Sequence, residues 1–114
     1  MDELSGRIRF IQEAERLKNV LRSAYTSSGR RESTAEHTWR LCLMAVTFAD
    51  QLGDIDLARV LKLCIVHDLG EAIHGDVPAV DQAAGPGKSE RERQDLREIT
   101  RTLPRSLQDE ILGL

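Results

Sequence analysis

Four residues, Ser33-Thr34-Ala35-Glu36, constrain the fold of this chain more than any others. A serine followed three residues later by a glutamate, just ahead of an apolar run, is the pattern of a capping box. Hydroxyl and carboxylate each satisfy a backbone N–H that the first helical turn leaves open. A helix is therefore expected from Ser33 to about Leu52. Its apolar positions Leu41, Met44, Ala45 and Phe48 share a face, and Trp39, Cys42, Leu43 and Val46 widen it. So broad a stripe predicts burial on more than one side.

The remaining chain reads as helices joined by short breaks. Ile8, Ile11, Leu17 and Leu21 recur at helical spacing within residues 4–22, and residues 23–33 break the pattern as a loop. Gly53-Asp54 reads as a turn, with Asp54 capping a third helix over about 55–69. Glu71 to His74 fits one further turn of helix, Gly75 to Pro78 a loop, and Asp81 to Lys88 the most flexible stretch. Ser89-Glu90-Arg91-Glu92 is a second capping box, opening a charged helix over about 90–102. Pro104 suits the first turn of a last helix over 105–112. No stretch alternates as a strand would, so the expected fold is all-α.

Composition narrows the function classes. The 114 residues suffice for one domain with its own core. Sixteen basic and 19 acidic residues are interspersed and leave a net charge of −3, which offers no footprint for nucleic acid. The apolar runs are shorter than a membrane span, and the acidic opening Met1-Asp2-Glu3 is unlike a signal peptide. A cytoplasmic protein is expected, with Cys42 and Cys64 as buried free thiols.

The chemistry concentrates where the third helix ends. Val60 to Val66 lead into His67-Asp68, with Gly70 placed to end the helix and Glu71, His74 and Asp76 following. Imidazole nitrogen and carboxylate oxygen together suit a divalent metal. Neighbours on a helix point about 100° apart, so His67 and Asp68 reach one ion only at a helix end. His37 lies one turn into the second helix, where the helix dipole favours a neutral imidazole, the form that binds metal. An antiparallel helix pair would bring all three side chains together. His74 is expected near the site as a loop residue, not a ligand.

Two segments carry a resemblance. Arg30-Arg31-Glu32-Ser33-Thr34-Ala35-Glu36-His37 and Val66-His67-Asp68-Leu69-Gly70-Glu71-Ala72-Ile73-His74-Gly75-Asp76-Val77-Pro78 resemble the HD-domain phosphohydrolases, within them the 5'-deoxynucleotidase branch. The resemblance runs from about Leu17 to the end of the chain. It implies an HD-domain bundle of about five to six helices. It implies an enzyme: a metal-dependent phosphomonoesterase that hydrolyses deoxyribonucleoside 5'-monophosphates to deoxyribonucleoside and phosphate. Carried over residue by residue, His37, His67 and Asp68 are the metal ligands, and Glu71 and Asp76 the acid/base pair. Arg22 and Tyr25 stand where relatives place an Arg and a Trp against the substrate.

The cofactor implied is a divalent ion (Co, Mn, Zn, Fe or Mg), the partner a small nucleotide substrate, and a homodimer is allowed. Glu71 is placed to take a proton from water and Asp76 to deliver one to the departing 5'-oxygen; Arg22, or else Arg30 or Arg31, to clamp the phosphate. The family's fourth ligand is an Asp on a later helix, and no acidic residue here matches it. Residues 1–114 are thus expected to be a single HD domain, incomplete at its C-terminus. Two other readings stand beside this one: an HD phosphohydrolase of nucleoside polyphosphates, and an inactive binding module on the same scaffold.

Overall fold

A computed structural model describes residues 2–75 and 86–114. Its helices are α1 (Glu3–Ala14), α2 (Thr34–Phe48), α3 (Leu57–Val66), α4 (Glu71–His74), α5 (Pro86–Ile99) and α6 (Arg105–Leu112). Between α1 and α2 lies one antiparallel hairpin of β1 (Leu21–Tyr25) and β2 (Arg31–Ser33). The helical reading holds, and the hairpin corrects it where a loop was expected.

Asp2 starts α1 by accepting the Ser5 N–H at 2.7 Å. The helix does not reach residue 22: it ends at Ala14 and continues as a 3-10 turn, Glu15–Lys18. The chain then pairs Leu21 with Ser33 and Tyr25 with Arg31, with extra residues bulged out of β1. Gly29 closes the turn at φ 89°, a conformation that favours glycine, and donates its N–H to the Thr26 carbonyl at 3.0 Å. Arg31 staples the strands together, its Nε–H reaching the Arg22 carbonyl at 2.9 Å.

The hairpin delivers Ser33 to the start of α2, where the capping box forms as expected. Glu36 N–H donates to Ser33 Oγ at 3.2 Å, and Ser33 N–H to Glu36 Oε1 at 3.1 Å. Arg30 grips the same carboxylate through two bonds of 2.9 and 2.7 Å. That guanidinium, helped by Ser33, holds the Glu36 carboxyl down at about 2.

Three helical details differ from expectation. Asp56, not Asp54, caps α3, because it is the aspartate whose carboxylate meets a first-turn N–H, that of Arg59 at 3.2 Å. Helix α5 begins at Pro86, so Ser89 lies inside it and Pro86 to Lys88 are helical. Proline is well suited to a first helical position. Third, α2 is not buried on more than one side. It packs on α3 and the 3-10 turn, leaving Trp39 at 67% exposure and Leu43, Met44, Val46 and Phe48 exposed as well. Cys42 and Cys64 are unpaired as expected, but only half-buried.

The core lies under the turn that joins α3 to α4. Leu17, Leu69, Ala72 and Ile99 form its buried centre, with Phe10, Val66, Ile73 and Leu96 packed around them. Each large side chain buried there contributes roughly 1.5–3 kcal/mol. Gly70 was expected to end the third helix, but α3 stops at Val66 and Gly70 stands just ahead of α4 with φ −63°. Its role is close approach: a Cβ there would lie 3.1 Å from the Asp95 Cβ and 3.4 Å from the Leu96 nitrogen. Glycine lets α5 press against the turn that carries Asp68.

An ion pair with its carboxylate buried ties α1 to the chain beyond α5. Glu13, 8% exposed, accepts Arg101 Nη2 at 2.8 Å and Nη1 at 3.1 Å, with Arg9 Nε at 3.3 Å. Arg101, more than Arg9, holds the Glu13 carboxyl below the usual glutamate range despite burial. Arg101→Met should therefore cost about 1–2 kcal/mol near pH 7, the half-exposed guanidinium limiting the loss. The depressed carboxyl gives its stabilisation above the ordinary glutamate range and loses it as pH falls through the folded value. Urea unfolding at about pH 7 and about pH 3 checks this: the gap between the two proteins should shrink in acid.

Candidate metal centre

The start of α2 lies beside the end of α3, as an antiparallel packing would place them. His37, one turn into α2, and His67-Asp68, just past α3, each offer a ligand atom, and these atoms lie within 4.8 Å of one another. The two imidazole centroids are 6.1 Å apart. Among the described residues no other His, Cys, Asp or Glu joins such a group. The set is two imidazoles and one carboxylate, which fits a divalent ion.

His67 explains why its ring faces Asp68. Its Nδ1 lies 2.8 Å from the Cys64 carbonyl, which can only accept, so Nδ1 carries the proton. A neutral ring then presents a lone pair at Nε2, and Nε2 is 2.9 Å from Asp68 Oδ2. Two acceptors at that distance need a proton or a cation between them. Two donors bound to one ion at about 2.1 Å stand about 3.0–3.4 Å apart, close to the spacing seen. His37 on the same side supplies a third donor, which favours the cation.

Glu71 stands outside the ligand group and is held by Thr34. The Thr34 hydroxyl, fully buried, donates to Glu71 Oε1 at 2.9 Å, joining the first turn of α2 to α4. His74 ends α4 instead of lying in a loop, and it is not a member of the ligand group. Its exposed Nδ1 meets Asp95 Oδ2 of α5 at 2.9 Å, and that hydrogen bond, with the aspartate's charge, raises the imidazole above its ordinary pKa. Asp76 lies outside the described residues.

The three candidate phosphate clamps separate clearly. Arg30 is committed to Glu36 and Arg31 to the carbonyls of β1. Arg22 reaches across the hairpin to Glu32, its Nη1 donating to Oε1 at 2.8 Å. The same Glu32 oxygen is 3.6 Å from His37 Nδ1, so Arg22 borders the donor group. Tyr25, at the end of β1, is 67% exposed. Sequence reasoning passed over Thr34 and Glu32; only a hairpin reading of residues 21–33 would have set Glu32 beside Arg22.

An apolar groove of about 590 Å³ runs between α1, α2, α3 and α6, with Phe10, Ala35, Val66 and Leu107 in its walls. None of the three donor residues lines it, so the polar chemistry lies elsewhere.

Fold and donor geometry together define a helical metal-site scaffold of the HD type, and this chain belongs to the HD domain family: the family model for the HD domain matches residues 14–114. A 5'-deoxynucleotidase HDDC2 of Mus musculus is 32% identical over 112 residues, covering 96% of this chain and 55% of that protein. Its Dictyostelium discoideum counterpart is 29% identical, covering 97% and 63%. A crystal structure described as a predicted metal-dependent phosphohydrolase from Magnetospirillum magnetotacticum superposes with a TM-score of 0.85 at 30% identity, covering 97% of this chain and 57% of that one. The chain thus spans about half the length of the curated relatives it matches.

Proposed function

We propose that this chain carries the metal site of a divalent-metal-dependent phosphomonoesterase acting on deoxyribonucleoside 5'-monophosphates. The observation that carries the metal reading is the approach of His67 Nε2 to Asp68 Oδ2 with Nδ1 already committed and His37 alongside. The nucleotide reading is supported by the deoxynucleotidase names of the relatives.

His37, His67 and Asp68 would hold the ion. When bound, a divalent ion there supplies Lewis acidity towards a phosphoryl oxygen and makes water acidic enough to ionise near neutral pH. Glu71, with Oε1 fixed by the Thr34 hydroxyl, takes the proton of the attacking water. Arg22 gives one N–H to Glu32 and turns its further donors to the phosphate. Tyr25 contacts the sugar or base from the hairpin, and Asp76 hands a proton to the leaving 5'-oxygen. The same reading includes a cytoplasmic location, no nucleic-acid partner, and a homodimer, for which the exposed apolar side of α2 is suited.

Metal analysis of the purified protein, followed by a phosphate-release screen, tests this. Stoichiometric divalent metal is expected, together with faster release from deoxyribonucleoside 5'-monophosphates than from ribonucleotides or generic phosphate esters. Equal turnover of ribonucleotides would favour a different HD phosphohydrolase. Metal bound without His37, His67 and Asp68 among its ligands would remove the site.

A further inference from the structure

We propose that Glu32 is a positioning residue of this site, its carboxylate holding the His37 imidazole and the Arg22 guanidinium in register with each other. The proposal rests on the metal reading above and goes beyond it. One oxygen, Glu32 Oε1, lies 2.8 Å from Arg22 Nη1 and 3.6 Å from His37 Nδ1. The Glu32 side chain is only 14% exposed, and each of its two neighbours is 29% exposed. A carboxylate so enclosed is not a solvated surface charge. It is set there by the hairpin, which carries Arg22 on one strand and Glu32 on the other, just ahead of the capping box that starts α2.

Metal-binding histidines turn the second ring nitrogen to a carboxylate or a carbonyl, which fixes tautomer and ring angle. His67 already does so through the Cys64 carbonyl. Glu32 completes the pattern for His37: Nδ1–H points to the carboxylate, and Nε2 is left to the ion. At 3.6 Å the contact is longer than a hydrogen bond; what it establishes is that the carboxylate lies on the Nδ1 side of the ring. Arg22 offsets the charge on Glu32, so the carboxylate orients the imidazole without competing as a ligand. One oxygen thereby couples the ion's ligand to the group that faces the phosphate.

The test uses Co(II) as the probe ion and three variants, Glu32→Gln, Glu32→Ala and Arg22→Met. Calorimetric titration should show Co(II) affinity falling about 10–100-fold in Glu32→Ala, the range seen when a ligand's supporting partner is lost. Glu32→Gln, which keeps an acceptor for Nδ1–H, should lie between Glu32→Ala and the unmodified protein. Arg22→Met, which leaves the Glu32 carboxylate beside the ring, should keep the His37 proton on Nδ1 while losing affinity for inorganic phosphate. Nitrogen-15 spectra of the metal-free ring report the tautomer directly: His37 should carry its proton on Nδ1 in the unmodified protein and shift towards Nε2 in Glu32→Ala. A role confined to folding would leave that tautomer unchanged wherever circular dichroism shows a folded chain. Unaltered Co(II) affinity and tautomer in Glu32→Ala would overturn the proposal for Glu32 alone. Failure of the unmodified protein to bind Co(II) would overturn the metal reading and this proposal with it.

Discussion

On the proposed reading, His67→Ala is expected to abolish divalent-ion binding and, with it, phosphate release. The substitution removes one of three protein donors, so the loss in affinity should exceed the roughly 10–100-fold expected for a supporting residue. It also removes the imidazole that faces Asp68 at 2.9 Å and leaves that carboxylate without its neighbour. The side chain is 38% exposed, so stability should change by only about 0.5 kcal/mol. Loss of the ion can then be read without the confusion of unfolding. Calorimetry with a divalent ion, beside a urea melt, gives both numbers. Undiminished ion binding in this variant would place the metal elsewhere.

Glu71→Gln should separate proton handling from metal binding. The amide matches the carboxylate in shape, and its oxygen still accepts the Thr34 hydroxyl, so α4 stays tied to α2. What disappears is a group that can take a proton. Turnover should drop about 10²–10⁴-fold, some 3–5 kcal/mol in the barrier, with ion affinity held. Steady-state kinetics in protein that releases phosphate, paired with metal content, makes the comparison. If the ion departs as readily as in His67→Ala, Glu71 is a ligand and the proton falls to Asp76.

What the sequence made legible were features with a local cause. The capping box at Ser33 and Glu36 announced the start of α2, and Pro104 the start of α6, because both act within one turn. The His67-Asp68 pair pointed to a donor group, and the structure brings His37 to it. The hairpin was not legible, since β1 exposes Leu21, Ser23, Ala24 and Tyr25 alike and shows no inside-outside alternation. Its staple is an arginine side chain whose bonds run to carbonyls nine and ten positions away. The breadth of the apolar stripe on α2 was read correctly as chemistry and wrongly as burial. Periodicity says which side chains avoid water, not which surface covers them. Gly70 misled in another way: its reason lies across the fold in Asp95 and Leu96, not in its own backbone angles.

The Cys64 carbonyl that receives His67 Nδ1–H belongs to the last turn of α3, where the His67 N–H also bonds the Leu63 carbonyl at 2.9 Å. That imidazole is therefore aimed by main chain at the end of α3, within the turn that seats Leu69 and Ala72 in the core, so its order follows from the packing of that turn. Opening of this turn would release the ring, and a bound ion, by preferring the closed turn, would suppress the opening in return. Amide exchange at Val66 and His67 is thus a local gauge of how tightly the site is held.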